Sequence, residues 1–395
     1  MNTQQYAIIT GSYWVFTLTD GALRMLVVLY FHELGYGPLD IAFLFLFYEF
    51  FGIITNLLGG WLAARMGLSA TILSGLFLQT FALGMLLVDS SYLTVAYVMT
   101  AQALSGIAKD LNKLGAKSGL KLVAGDSQVA LYRLVAWLTG SKNALKGVGF
   151  FAGGAGLATI GFNASVVTMI LCVGVVGLFA LLLLDMNLGK ASFKPKFPEL
   201  FSKSRQINLL SAARLFLFAA RDVWFVVALP VFLQVELGWS SISVGTFIAT
   251  WVIGYGLVQA IAPKISNVVH KGVPDGRAAL LWSLPLVTVP VAMALGLQQR
   301  FDPAAVIVFG LACFALVFAM NSALHSFLIT SYANSDGVSL DVGFYYMANA
   351  VGRLLGTVCS GWVYQVYGLA ACLTVSAFFF TLVLLISLRL PRHAK

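Results

Sequence analysis

The chain has 395 residues, of which 60% are hydrophobic and 10% charged, and its formal net charge is +9. Soluble domains carry about 25% charged residues, so this composition excludes a soluble globular protein and indicates a polytopic membrane protein. The lysines and arginines fall in apolar helices and in the loops between them. We therefore expect a lipid bilayer around the chain and no nucleic-acid partner.

Apolar windows recur along the whole chain, and each is long enough to cross a hydrocarbon core of about 30 Å as a helix. They predict an all-α membrane protein with twelve transmembrane helices. The predicted spans are residues 6–31, 39–64, 68–88, 92–114, 128–161, 163–185, 206–233, 240–262, 277–298, 303–332, 338–366 and 369–389. The N-terminus has no basic n-region and no small-residue cleavage site, so we expect no removable signal peptide.

The longest internal polar segment lies near the midpoint of the chain and contains several basic residues. We interpret residues 186–206 as a cytoplasmic linker between an N-terminal six-helix half, 1–185, and a C-terminal six-helix half, 207–395. With twelve spans, nearly all loop lysines and arginines fall on one side of the membrane, and Arg300 alone lies in the loops of the other side. The excess of positive charge in cytoplasmic loops predicts that both termini are cytoplasmic.

The two halves resemble each other in sequence. The segments VVLYFHELGY (27–36) and PVFLQVELGW (230–239) each end a predicted helix, and Glu33 and Glu236 are 203 positions apart. Parallel repeats of this kind characterise one large transporter architecture.

The loop between the second and third spans carries a recognisable motif, GGWLAARMG at 59–67. It resembles the loop motif of the major facilitator superfamily, and the resemblance extends to Gly60, Arg65 and Gly67 as a conformational element. The sequence departs from the motif at Ala64, where an aspartate is usual, so the charge-relay role of that loop is weakened. The segment SGWVYQVYG (360–368) also resembles this superfamily. The resemblance implies the major facilitator fold of two six-helix halves.

Four longer blocks resemble a narrower family, the ArsJ-type organoarsenical efflux permeases. They are LTDGALRMLVVLYFHELGYGPLDIAFLFLFYEFFG (18–52), QALSGIAKDLNK (102–113), LTGSKNALKGVGFF (138–151) and ARDVWFVVALPVFL (220–233). The resemblance implies a bacterial inner-membrane protein that exports 1-arseno-3-phosphoglycerate and confers arsenate resistance. It also implies a functional link to the glyceraldehyde-3-phosphate dehydrogenase that makes this ester from arsenate.

Ionisable residues within the predicted spans mark a candidate pathway, because such groups usually face a cavity or a partner. We take as candidates the cations Arg24, Lys109, Lys113, Lys142, Lys146, Arg214, Arg221 and Arg353, and the anions Asp20, Glu49, Asp110 and Asp222. Eight cations against four anions predict a bound small anion, which arginine can hold through bidentate contacts.

We assign two roles to these groups. The predicted substrate-binding residues are Arg24, Lys109, Lys113, Lys142, Lys146, Arg221, Arg353 and Asn349. The predicted proton-coupling residues are Asp20, Glu49, Asp110 and Asp222. Because the proton gradient points inward, the sequence-based expectation is efflux by proton antiport.

Several of these residues have a structural alternative. Asp20 and Arg24 are spaced i, i+4 and can form a salt bridge along their own helix; alternatively, Asp20 titrates and opens the Arg24 site. Glu49 is either a protonation site or a partner in an interhelical hydrogen bond. Arg221 beside Asp222 is either part of the pathway or a structural pair.

The lysines at the membrane edges also allow two interpretations. Lys117 and Lys121 are expected to be solvated or to contact lipid headgroups. Lys109 and Lys113 either snorkel from near the end of their helix or form a cytoplasmic entry path for an anion. Lys142 lies near the cytoplasmic edge of its span and Lys146 one turn deeper.

On the tenth span, His325 is interpreted as a hydrogen-bonded interior histidine that shares a polar face with Asn321. The alternative is a proton switch.

Other chemistries lack a sequence signal. Cys172, Cys313, Cys359 and Cys372 are isolated on apolar helices and are expected to pack as small apolar residues, so we expect no metal and no cofactor. The chain has no GxxxxGK[ST] phosphate loop and no GxSxG elbow, and we expect no enzymatic activity. Two alternatives remain: a proton-coupled transporter of another phosphorylated or carboxylated organic anion, and a non-transporting membrane sensor.

Overall fold

The computed structural model describes residues 3–36, 44–192, 196–200, 203–270 and 273–392. The described residues form α-helices and two short 3-10 helices, without any β-strand, which confirms the predicted all-α class. In chain order the helices are α1 (Thr3–Glu33), α2 (Leu46–Met66), α3 (Leu68–Met85), α4 (Val95–Ala124), α5 (Gln128–Leu183), α6 (Arg205–Phe225), α7 (Ala228–Val235), α8 (Ser241–His270), α9 (Gly276–Gln298), α10 (Pro303–Tyr332) and α11 (Val338–Ser387), with 3-10 turns at Ser90–Tyr92 and Phe197–Leu200.

Two of these helices are much longer than a bilayer requires, and each is broken once at a glycine. Gly161 in α5 has φ 79° and ψ 175°, and Gly368 in α11 has φ 76° and ψ −176°. Glycine alone adopts such dihedrals without steric cost. The breaks lie at the predicted junctions between spans and are 207 positions apart. They are therefore equivalent positions of the sequence repeat.

The described helices match the predicted spans closely. Nine helices within the described ranges are long and apolar enough to cross a membrane, and both broken helices are among them. Counting each broken helix as two segments, and adding the more polar α4, gives one segment for each predicted span. The predicted start of the second span, residues 39–43, lies outside the described residues.

Two predicted boundaries differ from the structure. The fourth span was predicted to end at residue 114, but α4 continues to Ala124. The seventh span, 206–233, is interrupted by a turn at residues 226–227 that separates α6 from α7. At α4 the helix continues beyond the end of the apolar window. At residues 226–227 the backbone leaves the helix inside an apolar window.

The chain forms two compact units, each assembled from separate stretches. The N-terminal unit contains Met1–Ser127, Ser141–Ser202 and Ala333–Met347, and the C-terminal unit contains Gln128–Gly140, Lys203–Tyr332 and Ala348–Lys395. The first turns of α5 thus belong to the C-terminal unit and the first turns of α11 to the N-terminal unit. The division into halves at the 186–206 linker remains a prediction about the sequence repeat.

In the N-terminal unit, α4 packs against α1, α2 and α3. Small residues bring α1 and α5 into backbone contact: a Cβ on Gly21 would lie 3.3 Å from the Cα of Gly149, and a Cβ on Gly149 would meet the carbonyl oxygen of Leu18. Close approach through glycine is a common way to pack membrane helices. This contact holds α5 beside the ionisable residues of α1.

We expect Gly149→Ala to lower the thermal unfolding midpoint of the detergent-purified protein, because overpacking a tight contact costs about 1–3 kcal/mol. Gly174, later in the same helix, has open space around its Cα, with no atom within 4 Å of a Cβ built there. Gly174→Ala is therefore the matched control and should leave the midpoint unchanged or raise it slightly. Equal midpoints for the two variants would contradict the close α1–α5 contact.

In the C-terminal unit, α10 packs against α6, α8 and α9. Its core is aromatic: Trp224, Phe314, Phe318 and Phe380 are fully buried. Trp224 meets Phe314 edge-on with ring centroids 5.1 Å apart, and Phe314 stacks on Phe318 at 5.2 Å. This core fixes α6, which carries the ionisable residues of the unit.

The loop motif of the N-terminal unit contacts the first turns of α11. A Cβ on Gly60 would lie 3.0 Å from the Cα of Gly343, so glycine is needed for this approach. Ala64, at the position where an aspartate is usual, is fully buried and packs with Leu340. An apolar contact thus occupies the place of the missing carboxylate.

The rest of the motif lies at the junction with the linker. Arg65 is exposed and lies over the ring of Trp61 at 4.7 Å. Gly67 has φ 96° and separates α2 from α3. The backbone N–H of Ala191 donates to the carbonyl oxygen of Ala64 at 2.8 Å, so linker residues cover this loop. The role of Gly60, Arg65 and Gly67 in conformational change remains a prediction.

Candidate functional site

Ionisable side chains converge in the N-terminal unit on α1, α2, α4 and α5. We call this set the N-terminal cluster, and it consists of Asp20, Arg24, Tyr48, Glu49, Lys109, Asp110, Lys113, Lys142 and Lys146. It contains five cations and three carboxylates, so its formal charge is positive. The structure brings together all the predicted site residues of this half.

Asp20 is a buried contact point of the cluster. Its Oδ2 lies 3.8 Å from Nζ of Lys146, and its Oδ1 accepts a 2.6 Å hydrogen bond from the hydroxyl of Tyr48. The Asp20 side chain is 6% exposed and that of Lys146 21% exposed. The carboxylate therefore lies behind the ammonium group and holds it in place.

The salt bridge along α1, one of the two alternatives for Asp20 and Arg24, is not among the ion pairs of the described residues, although Arg24 is close enough to act on the charge of Asp20. Arg24 instead pairs with Glu49 of α2, with 3.5 Å between Nη2 and Oε1. The i, i+4 spacing permitted the local pair, but tertiary packing offers each residue a partner on another helix. For Glu49, the structure shows the interhelical alternative: its Oε1 accepts a 3.5 Å hydrogen bond from Nη2 of Arg24, which is also an ion pair.

Tyr48 was missed by sequence reasoning, which considered only ionisable residues inside the spans. Its ring contacts two cations: the guanidinium carbon of Arg24 lies 4.8 Å from the ring centroid, and Nζ of Lys109 lies 3.7 Å from it. An aromatic face attracts cations through its quadrupole. One buried tyrosine thus positions Arg24, Lys109 and, through its hydroxyl, Asp20.

Asp110 and Lys113 pair along α4, with 2.5 Å between Oδ1 and Nζ. Asp110 is 2% exposed and Lys113 13% exposed. Nζ of Lys113 also lies 4.6 Å from the ring centroid of Tyr346, which belongs to the α11 stretch of the same unit. Again the acid is interior and the cation is the more accessible partner.

The interpretation of Lys117 and Lys121 as solvated residues is wrong. Lys117 is buried, with Nζ 5.5 Å from the ring centroid of Tyr346, and Lys121 donates a hydrogen bond to the carbonyl oxygen of Ala333. The α11 stretch of the N-terminal unit covers this end of α4. Sequence periodicity showed a basic stripe but could not show which distant segment packs on it.

Lys142 and Lys146 lie one turn apart on α5, and both are half-buried. Lys142, Lys109 and Arg24 are all close enough to Lys146 to act on its charge. The role of the two lysines as a path for an anion remains a proposal.

A second set of charged and polar residues lies in the C-terminal unit on α6, α10 and α11. We call it the C-terminal cluster, and it consists of Arg214, Arg221, Asp222, Ser322, Asn349 and Arg353. Asp222 is fully buried and accepts from Nε of Arg221 at 2.6 Å and from Nε of Arg353 at 3.4 Å. The side chains of Arg221 and Arg353 are 17% and 28% exposed. One carboxylate thus holds two guanidinium groups.

Arg214 was counted among the cations but left out of the predicted binding set. It is buried, and its Nε donates to the side-chain oxygen of Asn349 at 2.8 Å, while Nη1 donates to the carbonyl and hydroxyl oxygens of Ser322. Asn349 was predicted to bind substrate beside Arg353, but its oxygen accepts from Arg214. Asn349, one turn before Arg353, therefore orients Arg214 and not Arg353.

The interpretation of His325 as a hydrogen-bonded interior residue is wrong. The ring is fully buried in α10, and neither nitrogen has a hydrogen-bond partner among the residues that the structure describes. Asn321 does not share a contact with it: its amide donates to the carbonyl oxygen of Ala279 and to the hydroxyl of Ser283.

The cysteines occupy different environments. Cys372 is buried and Cys359 is half-buried, whereas Cys172 and Cys313 are exposed on the surface of the protein. The burial that usually accompanies packing as a small apolar residue is thus seen for Cys372 and in part for Cys359, and not for Cys172 and Cys313. Over the described ranges, we find no group of three or more His, Cys, Asp or Glu side chains that could hold a metal.

The aspartate–cation pairs of the two clusters occupy similar places in the sequence repeat. Lys146 and Arg353 are 207 positions apart, the same separation as the two helix breaks. Asp20 and Asp222 are 202 positions apart, one fewer than the repeat offset of 203. The turn at 226–227 follows Asp222 and can absorb the extra residue. Each half therefore places a buried aspartate against a more accessible cation.

Solved structures with this arrangement of helices identify the fold. The chain matches the human organic anion transporter MFSD10 with a TM-score of 0.77 at 16% identity, over 98% of this chain and 100% of that chain. A bacterial homologue of the iron transporter ferroportin gives a TM-score of 0.73 at 16% identity, over 97% and 98%. The E. coli fucose:proton symporter FucP gives 0.71 at 12% identity, over 97% of both chains. The fold is the major facilitator fold.

The predicted major facilitator fold is thus confirmed, and with it a multi-pass membrane protein. No family model matches the chain, and no curated protein matches it in sequence. At such low identity, the solved structures with the major facilitator fold establish the architecture alone.

One expectation is corrected. We excluded enzymatic activity because two motifs are missing, but the lack of two motifs does not establish that exclusion. What is shown instead is that the solved structures with this fold named above are transporters.

Proposed function

We propose that this protein is a secondary transporter that exports an organoarsenical anion, 1-arseno-3-phosphoglycerate, from the bacterial cytoplasm across the inner membrane. Export of this ester confers resistance to arsenate. The substrate is supplied by a glyceraldehyde-3-phosphate dehydrogenase that uses arsenate in place of phosphate. We propose that both termini of the chain lie in the cytoplasm.

The observation that supports an anionic substrate is the layering of charge in each cluster. The two aspartates at the centre are buried, at 6% and 0% exposure, while the cations they hold, Lys146, Arg221 and Arg353, are 17–28% exposed. Each cluster also contains two more cations than carboxylates. A site of this kind presents positive charge to an entering solute and favours an oxyanion.

The oxidation state of arsenic in the proposed substrate also fits the lysines and arginines of the two clusters. Trivalent arsenic is soft and favours clustered thiolates, whereas the four cysteines of this chain are isolated in sequence. A pentavalent arseno-ester is a hard oxyanion that suits lysine and arginine. The resemblance of four sequence blocks to the ArsJ-type permeases supports this ester in particular. The human structural neighbour is named an organic anion transporter, which fits the broader substrate class.

Uptake into everted membrane vesicles tests the proposal. Vesicles that contain the protein should accumulate arsenic when supplied with arsenate, glyceraldehyde-3-phosphate, its dehydrogenase and NAD. Arsenate alone should give no accumulation above vesicles that lack the protein. Equal uptake with and without the dehydrogenase would overturn the substrate assignment.

A transporter of another phosphorylated or carboxylated anion is the principal alternative. It is distinguished in the same vesicles by competition, because an excess of 3-phosphoglycerate or of a sugar phosphate should then reduce arsenic uptake. The radiolabelled competitor should itself be transported. A non-transporting sensor is excluded if arsenic accumulates at all.

A further inference from the structure

A small polar cavity lies in the N-terminal unit, and none of the residues that line it belongs to the N-terminal cluster. It is bounded by the start of α3, the last two turns of α4, the first residues of the linker and the first turn of α11. We propose that this cavity binds a tetrahedral oxyanion, the phosphate group of a free anion or of a lipid headgroup. The proposal goes beyond the transport function and does not rest on it.

Two buried hydroxyl groups are the first evidence for a ligand. Ser118 of α4 and Ser339 of α11 both line the cavity, and each residue is 2% exposed. A serine within a helix often donates to the carbonyl oxygen four residues earlier. Neither of these hydroxyls has a hydrogen-bond partner among the residues that the structure describes. Because a buried polar group without a partner is costly, the two hydroxyls point to a ligand between them.

The positive charge around the cavity favours an anion. Val338 and Ser339, the first two residues of α11, line the cavity. The first N–H groups of a helix have no acceptor within it and carry the positive end of the helix dipole, which makes a helix N-terminus suitable for an anion. Lys190 of the linker also lines the cavity and adds an ammonium group. Hydroxyl, ammonium and backbone N–H groups can all donate to an oxyanion.

Two carboxylates lie nearby, and both have donors of their own. Asp336 lines the cavity, but its oxygens accept from the N–H of Ser192 at 3.0 Å and from the Ser192 hydroxyl. Asp341 is not among the lining residues, and its Oδ2 accepts from the N–H of Asn334 at 3.2 Å. The loop motif adds no acid here, since Ala64 replaces its usual aspartate. The carboxylates therefore leave the buried hydroxyls of the cavity without a partner.

The size of the cavity fits an oxyanion. Its volume is about 60 Å³. One water needs about 10–15 Å³ of cavity, so the space accommodates about four oxygen-sized atoms, the number in a phosphate group. Lys190, Ser335 and Asp336 are exposed, so a phosphate group can reach the buried hydroxyls from the protein surface.

A bound oxyanion would join three segments that are distant in sequence. Ser118 belongs to α4, Lys190 to the linker and Ser339 to α11, and all three lie in the N-terminal unit. The linker is already held beside α3 by a hydrogen bond from the N–H of Leu68 to the carbonyl oxygen of Leu188, at 2.8 Å. The anion would extend this attachment to the first turn of α11. Since it binds only the folded protein, it should raise the thermal unfolding midpoint.

Thermal unfolding of the detergent-purified full chain tests the site, with inorganic phosphate as the probe. The midpoint should rise saturably with potassium phosphate and stay unchanged in potassium chloride of equal ionic strength. Ser118→Ala and Ser339→Ala should each weaken the apparent phosphate affinity about tenfold or more, as expected when a hydrogen bond to a charged group is lost. Without phosphate, both variants should keep the midpoint of the unmodified protein or exceed it, because each removes a buried hydroxyl that has no partner.

Two controls show where the anion binds. Ser69 is also buried beside the linker, but its hydroxyl donates to the carbonyl oxygen of Asp185 and it does not line the cavity. Ser69→Ala should therefore lower the midpoint and keep the phosphate-dependent rise. Lys146→Met, in the N-terminal cluster, should keep the rise as well. A rise that persists in Ser118→Ala and disappears in Lys146→Met would place the anion in the N-terminal cluster and overturn the inference.

Mixed micelles distinguish a lipid headgroup from a free anion. Phosphatidylglycerol is compared with diacylglycerol, which lacks the phosphate group. A rise with phosphatidylglycerol alone that is lost in Ser118→Ala assigns the site to a lipid headgroup, and the corresponding rise with inorganic phosphate assigns it to a free anion. No rise with either probe, or a rise that is unchanged in both serine variants, would overturn the inference. These measurements do not involve arsenic export, so the proposed function stands or falls separately.

Discussion

Replacing Lys146 by methionine is expected to reduce arsenic export about 10- to 100-fold at low substrate concentration, since a hydrogen bond to a charged group contributes about 1.5–3 kcal/mol. Methionine keeps the length and flexibility of lysine but removes its charge. Lys146→Arg should retain most of the activity because the positive charge remains. The measurement is initial arsenic uptake into everted vesicles as a function of ester concentration.

The control for this prediction separates binding from folding. Lys146→Met alone leaves Asp20 without its ion pair, which lowers stability as well as affinity. The double substitution Asp20→Asn with Lys146→Met removes the uncompensated charge and should restore the unfolding midpoint without restoring export. If the double variant also transports normally, Lys146 has only a structural role.

Replacing Asp222 by alanine is expected to cause the largest loss of stability. Asp222 is fully buried and is the carboxylate that holds both Arg221 and Arg353. Breaking a buried ion pair costs about 3–5 kcal/mol, because the remaining charge is left uncompensated. We expect low membrane abundance and a markedly lower unfolding midpoint in detergent, measured by fluorescence-detected size exclusion after heating.

The matched control for this prediction is Glu49→Gln. The Arg24–Glu49 pair is 3.5 Å long and its side chains are 27% and 24% exposed, so its loss should cost at most about 1 kcal/mol. Midpoints that fall equally in the two variants would contradict the distinction between the buried and the half-exposed pair. Normal abundance of Asp222→Ala would contradict the anchoring role of Asp222.

The fold could be predicted from the sequence because a bilayer imposes a simple rule. A helix must be apolar over about 20 residues to cross it, and hydropathy alone therefore located every span. The internal repeat was visible at Glu33 and Glu236 and is now matched by the breaks at Gly161 and Gly368. The end of α4 was misplaced because its last ten residues include two lysines and a serine, and the segment that covers them lies more than 200 positions away.

Most members of the two clusters were predicted from the sequence, but their contacts were not. Ionisable residues inside apolar helices stand out in any sequence, so Asp20, Lys146 and Asp222 were found. Their partners were not, because an i, i+4 spacing reports only neighbours on the same helix. Tyr48 shows the remaining limit: an aromatic residue in an apolar helix gives no sign in the sequence that its ring and hydroxyl will position three charged groups.

Arsenic flux through the purified protein tests the central claim most directly. In proteoliposomes with a lumen-positive potential, the protein alone should accumulate arsenic from a medium that contains the dehydrogenase reaction, as measured by mass spectrometry of the lumen. Arsenate without the dehydrogenase, and Lys146→Met with it, should give only the background of empty liposomes. Accumulation from arsenate alone, or full activity of Lys146→Met, would contradict export of an organoarsenical anion through the N-terminal cluster.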